Sequence, residues 1–265
     1  MDLAGKTVLL SGATGGIGMA IARALAGRGA TLVLSSRKQE ALDELASSLP
    51  GDGHRAIVAD LAEEGAAERL VAEAGETDVL VANAALPASG RLESFSQEEL
   101  GRALRVNLEA PIRMTRELLP RLTERDSGHL VYVSSLSGIA ASPRSSLYSA
   151  SKFGLRGFAL GLRADLRPTN VSASVVLPGF IRGAGMFADS GAKTPPGVGT
   201  SSPEEVAAGV VAAIEKDRAE VEVAPRMLRF LARFAARRPE LAARLAGGGA
   251  SRTADTVASG QADKR

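Results

Sequence analysis

The stretch that most constrains this chain is Ser11-Gly12-Ala13-Thr14-Gly15-Gly16-Ile17-Gly18, because it joins a short apolar run, Thr7–Ser11, directly to an amphipathic one, Ile17–Gly27. Glycines permit a tight turn and a close approach to bare backbone, and the first N–H groups of a helix concentrate partial positive charge. A strand, a glycine loop and a helix start in that order make a cradle for the pyrophosphate of a dinucleotide. The spacing Gly12, Gly16, Gly18 departs from the common GxGxxG, so a turn whose glycines serve only close packing stays as the alternative. The next segments fix the wider context. Thr31–Ser35, Arg55–Ala59 and Asp78–Ala82 read as strands, and Gln39–Leu49 and Glu63–Ala74 as helices, giving a β-α-β-α-β-α-β start.

Further on, Leu100–Leu122 predicts one long helix, bent at Pro111 or Pro120, and Tyr148–Leu166 another. His129–Ser134, Val171–Leu177 and Val221–Ala224 complete a set of about seven strands. The expected fold is a single α/β domain with a Rossmann-like, doubly wound parallel sheet, and 265 residues suffice for its core. Gly183–Ser202 is rich in Gly, Pro, Ser and Thr and too long for an ordinary connection, which suits either a substrate lid or a structureless segment. Ser202-Pro203-Glu204-Glu205 opens a helix with a cap, a proline at the first position and acids in the first turn.

Composition excludes several chemistries. There is no cysteine, and only His54 and His129, far apart, carry imidazole. Thiol nucleophiles, disulfides and a histidine-built metal site are therefore not expected. Absence of cysteine suits the cytoplasm, the expected location. No apolar run is long enough to span a bilayer, and the first five residues lack the charged start and apolar stretch of a leader. The formal net charge of +2 hides an asymmetry: residues 1–224 carry 23 basic and 27 acidic side chains, whereas 225–265 carry 9 and 3. With two tyrosines and no tryptophan, the chain offers no aromatic-basic platform for nucleic acid.

The chain thus divides into a catalytic domain over 1–224, a basic amphipathic helical extension over 225–246, and a polar tail over 247–265 expected to be disordered. In the extension, Arg226, Arg229, Arg233 and Arg237 form a stripe beside Met227, Phe230, Leu231 and Phe234. Such a helix can pack over a substrate cleft or a second subunit, the favoured expectation, or lie on an anionic membrane.

Two local patterns carry chemistry. The second strand ends Leu34-Ser35-Ser36-Arg37-Lys38, with hydroxyls and cations where an acid would otherwise hold an adenosine ribose diol. A 2′-phosphate is welcome beside Ser36 and Arg37, so NADP is expected, with NADPH preferred over NADH; a solvated helix start is the alternative. Tyr148-Ser149-Ala150-Ser151-Lys152 sets a phenol and an ammonium on one helix face, where the ammonium would lower the phenol pKa toward use as a general acid or base. By itself the YxxxK spacing arises often by chance.

Taken together, these residues resemble the classical short-chain dehydrogenases/reductases over roughly Leu3–Ala224. The loop Ser11–Gly18 matches that family's TGxxxGxG with Ser11 in place of threonine. Asp60-Leu61 matches the pair that meets adenine; Asn83-Ala84-Ala85 matches NAG, with Ala85 replacing glycine. Asn107, Ser134-Ser135, Tyr148 with Lys152, and Pro178-Gly179 match in register, and Ser135 precedes Tyr148 by the family's thirteen residues. The resemblance implies an oxidoreductase that passes hydride between NADP(H) and a carbonyl or secondary alcohol. It implies four catalytic residues. Tyr148 exchanges the proton, Ser135 bonds the substrate oxygen, and Lys152 binds the nicotinamide ribose and depresses the Tyr148 pKa. Asn107 holds a water linking Lys152 to solvent. Ser134 is the neighbouring alternative to Ser135, and Asn107 could instead satisfy helix backbone. The cofactor would lie on Ser11, Gly12, Thr14, Gly15, Gly16, Ile17, Gly18, Ser36, Arg37, Asp60, Leu61, Asn83, Ala84, Ala85, Tyr148, Lys152, Pro178, Gly179 and Ile181. Gly183 stands where the family often has a threonine for the carboxamide, leaving the Ile181 backbone for that contact. The family also implies a homodimer or homotetramer and a small-molecule substrate. Leu86, Leu92, Leu136, Ile139, Leu147 and Met186 suggest that this substrate is moderately hydrophobic. The competing readings are a cofactor-binding regulatory or scaffold protein without turnover, and a membrane-docked lipid reductase.

Overall fold

The computed structural model describes residues 1–194 and 198–261, the side chains of 245–252 excepted. Seven strands, β1 (Thr7–Ser11), β2 (Thr31–Ser36), β3 (Arg55–Val58), β4 (Val79–Ala82), β5 (Gly128–Val133), β6 (Val171–Pro178) and β7 (Glu220–Val223), form one sheet. Every pairing is parallel, in the order β3-β2-β1-β4-β5-β6-β7. This is the expected doubly wound Rossmann-like architecture. Parallel strands need helical crossovers that cover both sheet faces, which is why Val8, Leu9, Leu10, Val79, Leu80 and Val81 are all completely buried.

Alternation assigns each strand's residues to two cores. Leu9, Leu80, Leu130 and Tyr132 face α3 (Ala66–Ala74), α5 (Ala110–Glu124) and α6 (Ser146–Asp165) through Leu70, Met114, Leu118 and Leu155. Val8, Leu10, Val79 and Val131 face α1 (Gly16–Ala26), α2 (Gln39–Ser48) and α8 (Pro203–Glu215) through Ile21, Leu25, Leu42, Val206 and Val210. The strand order reverses between β1 and β4, so the loops leaving those two strands diverge and open a crevice at their carboxyl ends.

Three local features differ from the sequence expectation. The long helix is three pieces: α4 (Gln97–Leu104), a π-helical turn Arg105–Glu109, and α5. The break precedes both prolines, because in an α-helix Pro111 would have to donate to the Asn107 carbonyl and has no N–H. Gly183–Ser202 contains α7 (Gly185–Asp189), and an isolated parallel bridge ties Ile181 to Ser201; residues 195–197 lie outside the described part. The third difference is a correction. After α9 (Arg226–Arg237), the chain does not become structureless at 247 but continues as α10 (Pro239–Gly260). The low apolar content that argued for disorder is offset by docking, since Ala254 and Val257 rest on a cavity and Asp255 pairs with Arg144 at 2.6 Å. Residues 262–265 lie outside the described part. Helix α8 starts as expected, Ser202 and Glu205 forming a reciprocal cap with Pro203 in the first turn.

Candidate active site

The crevice is built by two loops locked together. The Ser11 hydroxyl accepts from the N–H groups of Asn83 and Ala84, both at 3.2 Å, so serine serves at this position through its oxygen. In return the Asn83 amide donates to the carbonyls of Ser11 (3.2 Å) and Gly12 (3.0 Å). Gly12 has φ +66, and a Cβ there would stand 2.7 Å from Ala84 Cα. Only glycine lets these loops approach so closely. Gly15 caps α1 without a side-chain bond, and no acid lies in the first turn, so the helix N-terminus keeps its capacity for an anion. Gly16 faces Ala184, so the segment after β6 folds down against the glycine loop.

At the adenosine end, Ser36 ends β2 half-buried and its hydroxyl accepts from Lys38 N at 3.4 Å, while Arg37 is exposed and makes no ion pair among the described residues. Asp60 follows β3; its Oδ1 accepts from Ala62 N at 2.9 Å, and Leu61 is buried beside it. Thr14 lies half-exposed in the turn and Gly18 is buried inside α1, too close to the Gly12 carbonyl for any side chain.

At the other end, the carboxyl ends of β4, β5 and β6 surround a cavity of about 370 Å³. Ser135, Tyr148, Lys152, Ile17, Asn83, Ala85, Pro178, Gly179 and Ile181 all line it. The structure therefore brings Ser135, Tyr148 and Lys152 together with part of the expected cofactor set, while Asn107 does not line the cavity. Ser134 and Ser135 separate in role: the Ser134 hydroxyl donates to the Lys152 carbonyl at 2.9 Å, inside the protein. The Ser135 oxygen accepts from Ser137 N at 3.1 Å, with a long 3.5 Å bond to the Pro178 carbonyl. Lys152 is buried, donates to the Val133 carbonyl at 3.1 Å, and has its ammonium 5.7 Å from the Tyr148 ring centre.

Electrostatics revise one expectation. Burial pulls Lys152 down to about 8, because an ammonium loses its water without gaining a carboxylate. Tyr148 is raised rather than lowered: burial dominates, and the Ser135 hydroxyl pulls it only partly back. The protein's own groups thus keep the phenol protonated.

Asn107 is completely buried, and its side chain is engaged with one residue. Leu86 N donates to Oδ1 at 2.6 Å, and Nδ2 donates to the Leu86 carbonyl at 2.9 Å. The amide therefore acts as a clamp on the chain leaving Ala85. Gly183 has φ +76 with open space around it, a left-handed turn that suits glycine. Arg182 N donates to Ser201 O and Ser201 N to Phe180 O, both at 2.9 Å. Because neighbouring peptide groups alternate, the N–H and C=O of Ile181 point to the opposite side.

Neither histidine enters the cavity. His129 sits in β5 with Nε2 2.8 Å from Ser174 Oγ, and His54 accepts from Leu32 N at 3.0 Å. Among the described residues no cluster of three His, Asp or Glu side chains could hold a metal, and no helix is long and apolar enough to cross a membrane.

The carboxy-terminal helices complete the site: α9 packs over the cleft, as its amphipathic pattern suggests, whereas the contribution of α10 is not legible in a segment that reads as a polar tail. Leu228 and Ala232 of α9, Thr253, Ala254 and Val257 of α10, and Gln261 at its end, line the same cavity. A Cβ on Gly179 would stand 2.8 Å from Leu228, so that glycine lets α9 close down. The spacing Ala254, Val257, Gln261 is a helical signal, masked by the three glycines at 247–249 and the scarcity of large apolar side chains.

A family model described as short chain dehydrogenase matches residues 6–194. The chain belongs to that family. It is 39% identical to a ketoacyl reductase, HetN, of Nostoc sp., over 83% of this chain and 79% of the relative. Human dehydrogenase/reductase SDR family member 4 is 38% identical, over 68% and 67% of the two chains. Among solved structures, a short-chain dehydrogenase from Streptomyces avermitilis superposes with a TM-score of 0.76 at 27% identity, covering 93% of this chain and 97% of that one. One from Sphingobium yanoikuyae in complex with NADPH gives 0.77 at 27%, covering 89% and 95%. As a short-chain dehydrogenase the protein is an oxidoreductase of the family that uses a nicotinamide cofactor.

Proposed function

We propose that this short-chain dehydrogenase interconverts the carbonyl and secondary alcohol of a moderately apolar substrate with NADP(H), using Tyr148 as general acid and base. The observation that carries the reading is the convergence of Ser135, Tyr148 and Lys152 on one cavity that also reaches Ile17 and Asn83. The chain fits the cofactor: a glycine cradle with no room for a Cβ at Gly12 or Gly18, an uncapped helix N-terminus for the pyrophosphate, and, for a 2′-phosphate, an exposed Arg37 with no ion pair among the described residues. Bound there, NADPH supplies the hydride for the carbonyl carbon. Ser135 donates a hydrogen bond to the substrate oxygen and stabilises charge developing on it. Tyr148 gives that oxygen its proton, and the upward pKa shift keeps the phenol loaded for the reducing direction. Lys152 holds the cofactor ribose, and Ile181 offers the carboxamide its backbone. Apolar walls from Leu136, Met186, Phe187 and Leu228 favour a hydrophobic chain on the substrate. A named ketoacyl reductase among the relatives and an NADPH-bound structural neighbour support the same reading. Tyr148→Phe is expected to lower carbonyl-dependent NADPH oxidation about 10²–10⁴-fold while NADPH still binds; an unchanged rate would refute the assignment.

The assembly we expect is a homodimer or homotetramer in the cytoplasm. A second reading, peripheral membrane contact, draws on the outer face of α9, where Met227, Phe230 and Leu231 are exposed beside Arg226 and Arg237. It requires co-sedimentation with anionic vesicles that is lost in Phe230→Asp, and equal sedimentation of both proteins removes it.

A further inference from the structure

Helix α10 lies beyond residues 6–194, the stretch that the family model matches, yet it roofs the cleft in which Ser135 and Tyr148 sit. It is fastened to both rims. From the loop preceding α6, Arg144 Nε donates to Asp255 Oδ1 at 2.6 Å. On the other rim, Gln261 Nε2 donates to the Met186 carbonyl at 3.0 Å, and Gly260 packs so tightly that a Cβ there would lie 2.5 Å from the Ser190 carbonyl oxygen. That second rim is itself braced, since the Phe187 ring of α7 packs on Phe180 with centroids 4.6 Å apart.

Helical geometry tells which side chains of the roof face the cleft. At about 100° per residue, Thr253, Val257, Gln261 and Ala254 fall in that angular order within one arc of about 100°, and these four line the cavity. Asp255, Thr256 and Ser259 fall on the opposite side and are exposed. Val257 therefore lies inside the cavity-facing arc, half-buried, with Ala254 at its edge. Together with Leu228 and Ala232 of α9 they give this wall an apolar surface. Such a wall has no side-chain group to bond a ligand, so what it selects is volume. Ser135 and Tyr148 would pin the reacting carbonyl between the end of β5 and the start of α6, and every further carbon of the substrate must then be housed elsewhere in the cavity.

We propose that Val257, with Ala254 beside it, is a specificity-determining stop: it sets the longest apolar chain that a substrate can carry beyond its reacting carbonyl. The inference rests on the carbonyl reductase reading and narrows its substrate class to carbonyl compounds whose apolar chain ends inside the protein, against α10. Each methylene housed out of water strengthens binding about fourfold. One methylene too many meets a fixed wall and is discriminated against by about tenfold or more.

The test uses straight-chain methyl ketones of graded length. Binding to the NADP⁺-loaded full-length protein is read by calorimetry, and turnover separately with NADPH. In wild type, affinity is expected to rise about fourfold per methylene up to a ceiling and to fall about tenfold or more at the next homologue. Val257→Ala deletes two carbons from the wall, and its ceiling is expected to lie about one to two methylenes further along the series. Ala254→Val adds two carbons, and its ceiling is expected to retreat by about the same amount. A general loosening of the fold weakens all homologues alike and leaves the ceiling where it was, so the ceiling isolates the wall. Wild-type affinity that rises without a ceiling overturns the proposal even if neither variant folds, and so does a ceiling that fails to move in opposite directions in the two variants. Opposite shifts with no turnover of any ketone keep the stop and sink the reductase reading; turnover with an unmoved ceiling does the reverse.

Discussion

Replacing Asn107 by leucine removes both hydrogen bonds to Leu86 while keeping the side chain's approximate size, so the perturbation is chemical rather than steric. The site is completely buried, so Leu86 N–H and C=O cannot turn to water. Each orphaned group costs about 1–3 kcal/mol, about 2–6 kcal/mol together. For a chain of 265 residues that corresponds to a fall in Tm of about 4–11 °C. Leu86 follows Asn83-Ala84-Ala85, in which the N–H groups of Asn83 and Ala84 bond Ser11 at the start of the glycine loop, so the dissociation constant for NADPH is expected to rise as well. Asn107→Asp keeps the acceptor for Leu86 N and loses the donor, and about half the destabilisation is expected on the same bond values. Urea unfolding and NADPH titration check both variants. If Asn107→Leu unfolds within about 0.5 kcal/mol of wild type and loses only kcat, the clamp reasoning is wrong, and a role through water on the proton path takes its place.

Two further outcomes follow from the same geometry. Arg37→Glu puts a negative charge where a 2′-phosphate is expected, and loss of one charge-assisted bond corresponds to a fall of about 10–100-fold in the NADPH-to-NADH affinity ratio; an unchanged ratio on titration removes Arg37 from the cofactor site. His129 is held at about 4 by burial, against an ordinary 6.5, so the folded state binds fewer protons than the unfolded chain. Its contribution is complete above pH 6.5 and is lost as pH falls toward 4, at about 1.4 kcal/mol per pH unit and about 3 kcal/mol in all. Stability measured over that window should flatten in His129→Gln, and an equally steep decline in the variant would discard the explanation.

The sheet was legible because its signals are local. Runs such as Val8–Leu10 and Val79–Val81 are apolar at every position, as buried parallel strands require, and the helices between them show the amphipathic period. The glycine loop was legible for the same reason, since its function depends on backbone geometry that adjacent residues set. Legibility failed where one side chain answers a distant one. The sequence places Asn107 in a helix, yet its amide is spent on Leu86, 21 residues away. The Tyr148 pKa was expected to fall because Lys152 lies one turn along; burial, a property of the folded surroundings, raises it instead.

The sequence by itself determined the α/β order, the glycine loop after the first strand, and the chemical types at the reacting end, because each is encoded within a turn or a strand of chain. The tertiary structure decided what closes the other end. Residues 247–261 carry too little apolar surface to hold a helix alone, and α10 exists by docking on a cavity assembled from β5, β6, α6 and α9. Only in that docked state does Gln261, read from sequence as part of a polar tail, become buried and come to line the site.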